Sequence, residues 1–277
     1  PHVGKENHTL GSINRLGIWA DGRFAWLSDW QLDLRYKSDA LVTEVTGRHD
    51  GLGLRVAITD AVDCDVNVLV RRFNVFDERG EARCVRIFAH IDPNIGESAI
   101  ANCAYFDGVH QAMVCYKADR YFLLGSEPAP IGYAAGIKGT SQYEGSWRDA
   151  EDGQLSNNAV ASGFVDATLM LEIAVPAGGE SAAHIWLAAG RSLNDVTQLH
   201  AIARRSPDAL IERTVRYWRF WLGGARQEFG DLSPQAADLY RRSLLLIRSN
   251  IDNGGAITAA NDSDITSFGR DHYSYVW

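Results

Sequence analysis

The chain has 277 residues, 46% of them hydrophobic, with a formal net charge of −8 and a pI near 5.5. That length suits one large domain or two ordinary ones, and the composition is that of a folded chain. The acidic balance argues against nucleic acid or an anionic membrane as partner, since both need a basic face. No run of about eighteen apolar residues is present to span a membrane.

Residues 1–15 are polar. No leader-like stretch stands at Pro1, but a chain beginning with proline is expected to start downstream of its native terminus, so export stays open. From Leu16 to about Ala189 the pattern is strands. Leu16–Trp19 and Phe24–Leu27 flank Asp21-Gly22, a strong hairpin signal. Ala40–Thr46 and Leu52–Thr59 follow, the latter with Leu54, Val56 and Ile58 alternating. Val66–Phe76 turns through Asp77–Gly80 into Cys84–Ile91. There Val85, Ile87 and Ala89 oppose Arg86, Phe88 and His90, the period-2 pattern of a sheet with two different faces. Asp92-Pro93-Asn94 reads as a turn. Strands resume at Ala101–Phe106, Gln111–Lys117 and Tyr121–Leu124. Residues 139–153 suit a short helix or a loop, and Phe164–Val175 and Ala182–Ala188 are the last strands. Many short strands with turns every eight to twelve residues imply a large antiparallel β-sandwich.

The four cysteines, Cys64, Cys84, Cys103 and Cys115, lack Cys-x-x-Cys spacing and have no histidine at metal-ligand spacing. They are expected to be buried free thiols, with one cross-strand disulfide as the alternative if the protein is exported.

After Gly190 the period changes to that of helices. Ser192 caps a helix to Arg205 with Val196, Leu199, Ile202 and Ala203 as its stripe. Ser206-Pro207 opens a second, with Ser as N-cap and Pro at the first helical position, ending at Gly223-Gly224. Its Tyr217, Trp218, Phe220 and Trp221 require cover on more than one side. Ser233-Pro234 opens a third helix that ends near Asn253-Gly254-Gly255, with Leu239, Leu246 and Ile251 near one face.

The chain closes on Gly254–Asp264 (GGAITAANDSD) and then Arg270-Asp271-His272-Tyr273-Ser274-Tyr275-Val276-Trp277. In an extended segment Tyr273, Tyr275 and Trp277 share one face. Aromatic faces among polar groups suit a sugar, and equally suit a loop running into a core strand. Asn261–Asp264 is oxygen-rich but lacks the glycine and distal glutamate of a calcium loop. No phosphate loop, zinc-protease helix or serine elbow motif occurs.

This closing segment resembles the first active-site loop of bacterial glucoamylase-like enzymes, glycoside hydrolase family 15. There a Gly-Ala-Ile stretch follows the first barrel helix and leads to Tyr-x-Tyr-x-Trp and Pro-Arg-Asp. The likeness is clear from Ser233 to Trp277 and weak in the strands, where Asn94 departs from the family's histidine. The resemblance implies a mainly β fold: a large antiparallel sandwich of the galactose-mutarotase-like supersandwich type over 1–190. A helical linker over 191–232 and the start of a truncated (α/α)6 catalytic barrel over 233–277 would follow. It implies exo-acting release of glucose from α-glucans with inversion, an α-glucan or oligosaccharide as partner, no cofactor and no metal. The sandwich would pack on its own barrel. Tyr273 and Trp277 match the family's aromatics at the terminal-glucose subsite, with Tyr275 between them. Inversion needs two carboxyls roughly 6.5–9.5 Å apart, which the family draws from later barrel loops. None of Glu172, Glu180, Glu212 or Glu228 matches their motifs, so no catalytic residue is assigned. Trehalase or glucodextranase specificity, or a non-catalytic sandwich module, are the rival readings.

Overall fold

The computed structural model describes residues 2–3, 6–8, 12–139, 144–224, 228–251, 255, 257–258 and 274–275. The strands are, in order, β1 (His2–Val3), β2 (Glu6–Asn7), β3 (Arg15–Ala20), β4 (Arg23–Trp26), β5 (Gln31–Tyr36) and β6 (Val42–His49). Then come β7 (Leu54–Val62), β8 (Val68–Asp77), β9 (Arg83–Ile91), β10 (Asn102–Asp107), β11 (Ala112–Lys117) and β12 (Arg120–Glu127). β13 (Gly132–Ile137), α1 (Ser146–Asp149), β14 (Val160–Gly163), β15 (Val165–Val175) and β16 (Glu180–Gly190) complete the β-rich part. Three helices follow, α2 (Leu193–Arg205), α3 (Pro207–Gly223) and α4 (Pro234–Ser249), and then β17 (Ile257–Thr258) and β18 (Ser274–Tyr275).

Fourteen of these strands make two antiparallel sheets, as the alternating pattern implies. The larger has the order β14-β10-β11-β12-β16-β8-β7-β6-β5 and the smaller β13-β15-β9-β3-β4. Alternation decides what each strand buries. Ile87 and Ala89 of β9 and Phe73 and Val75 of β8 point between the sheets with Ile18, Leu54 and Leu169. Val68 and Val70 of β8 point the other way, onto the helices. The Asp21-Gly22 hairpin forms as expected, with φ of 53° and 76°. Only residues that tolerate the left-handed region close such a two-residue turn without splaying the strands.

Polar groups rivet one corner of the sandwich. The Arg83 side chain is 2% exposed and donates to Leu52 O, Gly53 O, Asp77 and Asp21 at 2.7–2.9 Å. Burial pushes the Asp77 carboxyl up. The amides of Gly178, Arg79, Glu81 and Gly80 outweigh that and hold it below the ordinary range.

The long helices begin only after Gly190, where the period changes. α2 lies on β12 and β16, and α3 on β7 and β8. Val196, Leu210, Ile211 and Val215 bury against Val70 and Trp186 of the large sheet. Ser192 and Ser233 cap as read, accepting from the Asp195 and Ala236 amides at 3.1 and 3.2 Å. Ser206 does not cap with its side chain, because the turn from α2 to α3 holds it at φ −160° and ψ 75°. The cysteine expectation also needs correction. All four are free, but Cys64 and Cys84 are exposed and only Cys115 is buried. Cys84 occupies an outward position of β9, and Cys64 lies in the loop before β8. The strands β5, β13 and β14 went unread in the sequence. β5 is exposed at every residue although Leu32, Leu34 and Tyr36 alternate with polar residues, and β13 is built on glycine and alanine and lacks such alternation.

Candidate functional site

Of the three residues expected to contact sugar, Tyr273 and Trp277 lie outside the described residues, as do Arg270, Asp271 and the Asn261–Asp264 run. For Tyr275 the backbone is described: Tyr275 pairs with Ile257 and Ser274 with Thr258, antiparallel. Ile251, just past α4, bridges Ile257. Ile257–Thr258 and Ser274–Tyr275 thus form a two-residue ladder, and Ile257 also bridges the residue just past α4.

α4 leaves much of its own apolar surface open. Ala237 and Leu245 are buried, whereas Leu239 is 67% exposed and Tyr240, Leu246 and Ile247 are 51% exposed. Leu245 and Leu246 flank a small cleft against the turn between β5 and β6, residues 36–41. On α3, Phe220 is 84% exposed while Leu210, Ile211, Thr214, Val215 and Leu222 are buried. The aromatic helix is therefore covered on its sheet side, and Phe220 is left in solvent.

Other polar clusters have structural uses. His90 Nε2 lies 3.0 Å from Asp166, which also accepts from the Ser146 amide at 2.8 and 2.9 Å. Ser146 Oγ bonds Thr168 Oγ1 at 2.8 Å. Serine, histidine and aspartate meet here, but the hydroxyl bonds threonine, and the carboxylate binds a helix-start amide. That arrangement docks α1 on the sheet and activates no nucleophile. Burial lowers His90 against the pull of Asp166. Burial raises Asp166, and His90 and the Ser146 amide overcome it, so its carboxyl stays below the ordinary range. That is the wrong direction for a general acid. Glu172 is paired with Arg86 at 2.9 Å and Glu212 faces Arg216 at 3.8 Å. The Trp147 ring carries the guanidinium groups of Arg15 and Arg148 at 4.6 and 4.3 Å. Among the described residues no group of three or more metal-ligating side chains is assembled.

The structure adds one site that sequence reasoning missed. A cavity of about 550 Å³ opens between the two sheets, lined mainly by Leu16, Leu69, Ile91, Leu124, Ile185 and Leu187, with Arg71, Trp26, Asn14 and Ser28 also in its wall. Most of its apolar lining residues read in sequence as ordinary core positions, and no local signal marks the gap between them.

No protein-family model and no curated protein matches this sequence. Solved structures do. A bacterial glucoamylase complexed with acarbose superposes with a TM-score of 0.68 at 15% identity, over 86% of this chain and 35% of that chain. A kojibiose phosphorylase from the human microbiome, described as putative, matches with a TM-score of 0.49 at 10% identity, over 73% of this chain and 27% of that one. A family GH92 α-mannosidase from Bacteroides thetaiotaomicron gives 0.47 at 11% identity, over 78% and 28%. The glucoamylase likeness establishes the scaffold, an antiparallel sandwich followed by helices as found in that glycoside hydrolase. This chain spans 35% of the length of that enzyme.

Proposed function

We propose that this chain is the N-terminal part of a glucoamylase-like glycoside hydrolase that releases glucose from the non-reducing ends of α-glucans with inversion. The observation that carries the reading is the 0.68 superposition over 86% of the chain on a bacterial glucoamylase. The motif likeness around Tyr273, Tyr275 and Trp277 is independent of it, since it was read from residues rather than shape.

In this reading residues 1–190 form the sandwich domain, 191–232 the linker, and 233–277 the start of the catalytic barrel. Tyr273 and Trp277 line the subsite of the terminal glucose, and Tyr275 supports the same face. The acid and base come from the rest of the protein, so the 277-residue chain by itself hydrolyses no glycoside. Removing an acid or base group typically forfeits ~10²–10⁴-fold in rate. The sandwich packs on the barrel, and the exposed apolar residues of α4 are the contacts that barrel neighbours would cover.

The test is glucose release from maltooligosaccharides by the full-length protein, with the anomer of the first product read by proton NMR. Initial release of β-glucose supports the reading. Release of α-glucose would refute inversion, and activity confined to trehalose or to α-1,6-linked glucans would replace the substrate. Hydrolysis by the 277-residue chain would place an acid and base within it.

A further inference from the structure

The cavity between the sheets is not part of the closing loop, and its chemistry is different. Protein interiors are packed as densely as organic crystals. A gap of about 550 Å³ within the size range of small-molecule sites is therefore a feature to explain. It lies where β8 begins and β16 ends. Leu187 pairs with Leu69 and with Leu124 across three adjacent strands. Facing them from the smaller sheet are Leu16, paired with Ala89, and Ile91. Leu16, Ile91 and Leu187 are only partly buried although they pack on the main core. Their half-burial follows from the opening beside them.

Alternation sorts the polar groups near this opening. Leu16 and Ala89 point between the sheets, so Arg15 and His90, one residue away, point to the opposite face. Arg15 accordingly stacks on Trp147, and His90 bonds Asp166. Arg71 is on the inner face with Phe73 and Val75. It donates from Nε and Nη2 to the two oxygens of Asp60 at 2.6 Å, and both side chains keep contact with solvent at 28% and 20% exposure. Nη1 donates to none of the described residues. Asp60 sits opposite Thr43 in register, and the buried Thr43 hydroxyl oxygen has no hydrogen-bond partner. Of this row Arg71 lines the cavity, with a spare donor at Nη1 and Asp60 beside it, and the Arg71–Asp60 pair is neutral as a unit.

We propose that this cavity binds a neutral amphiphile, an aliphatic chain of medium length ending in a hydroxyl-bearing head. The chain fills the leucine and isoleucine walls. A head hydroxyl accepts from Arg71 Nη1 and donates to a free lone pair of Asp60, which only a group with both capacities can do. A carboxylate head would meet Asp60 at close range and gain little from an arginine already neutralised.

Titration calorimetry of the purified protein with 1,2-alkanediols tests this, since they are not glycosides and so bypass any hydrolase activity. 1,2-Octanediol should bind saturably, and each added methylene from hexane- to octanediol should tighten binding about fourfold, the equivalent of ~0.8 kcal/mol per buried CH₂. Glycerol should show no binding, and octanoate should bind more weakly than octanediol. Leu187→Trp, which fills the cavity from its wall, should abolish binding. Arg71→Lys should weaken every diol by a similar factor and leave the chain-length dependence intact. Absence of saturable binding, affinity independent of chain length, or octanoate binding more tightly than the diol would each overturn the proposal. The wild-type chain-length series decides the matter even where Leu187→Trp fails to fold.

Discussion

Acidification should loosen the seat of the first long helix, and His200 sets how much. His200 is 4% exposed on α2. Its Nδ1 accepts from Trp186 Nε1 at 3.2 Å, and its ring lies 6.2 Å from that of His110. Burial lowers its pKa, the nearby charges of Arg204 and His110 add to that, and Asp107 and the His110 carbonyl oppose it. The result is pushed down to about 4. Unfolded, the imidazole titrates near ~6.5. A group whose folded pKa is depressed in this way stays neutral in the fold while the unfolded chain takes up a proton. Stability is therefore lost as pH falls from about 6.5 to about 4 and levels off below. At ~1.36 kcal/mol per unit the loss comes to about 3 kcal/mol. His200→Gln keeps an acceptor for the Trp186 indole and cannot titrate. Urea unfolding of both proteins between pH 4 and 8 should show the wild-type stability, relative to the variant, dropping by about 3 kcal/mol across that window. Parallel curves would mean that the imidazole is not held neutral by its surroundings, and the packing of α2 described above would be wrong.

Arg83→Met should cost about 3–5 kcal/mol in urea unfolding, the usual penalty for breaking a buried ion pair from one side, because it strands two carbonyls and the Asp77 carboxylate. Gly125→Val should destabilise by about 1–3 kcal/mol. A Cβ there falls 2.6 Å from Trp186 Nε1 and 2.7 Å from His200 Nδ1, and circular-dichroism melts would read the loss. In the full-length protein Tyr273→Ala and Trp277→Ala should lower oligosaccharide turnover while leaving the melting temperature within a few degrees. Unchanged kinetics with a large fall in melting temperature would make them core residues instead.

The strands were legible where inward apolar residues alternate with residues of another kind. Ile87 and Ala89 against Arg86 show this, and so does the Asp21-Gly22 turn, whose chemistry is local. β5 was not legible, since every one of its residues is exposed and its leucines alternate with charges without any burial behind them. Cysteine burial misled for a related reason. An apolar neighbourhood in sequence does not say which side of the strand a thiol occupies, and Cys84 took the outer side. The capping at Ser192 and Ser233 depends only on neighbouring residues, and it formed. Ser206 failed because the tight passage from α2 to α3 chooses its backbone, a constraint the sequence around it does not reveal. The cavity at Leu187 depends on how two sheets diverge, and no single strand carries that information.

The helices are not simply laid on the sandwich; their rotation is set by polar contacts. Near the start of α3, Asp208 takes His184 Nε2 at 2.9 Å and Arg72 at 3.2 Å, both from the large sheet. Five residues on, about 7.5 Å along the axis, Arg213 reaches the loop before β8 with Nε on Asp63 at 3.0 Å. Asp63 is itself fixed, accepting the amides of Asp65 and Val66 at 2.9 Å. The Arg72–Asp208 pair is exposed, and such pairs contribute little to stability, typically ~0–1 kcal/mol; Arg213 pairs with a buried Asp63 carboxylate, and both contacts act as geometric constraints. An apolar stripe alone lets a helix slide or roll by a fraction of a turn at small cost. Two polar anchors at different heights remove that freedom. α4 follows α3, and Ile251 just past it bridges Ile257, which pairs with Tyr275. On the proposed function, the sandwich then acts on catalysis by aiming a loop rather than by touching a sugar. Arg213→Ala in the full-length enzyme should accordingly reduce turnover without contact to substrate, and a double-mutant cycle with Asp63→Ala should show the two losses to be one.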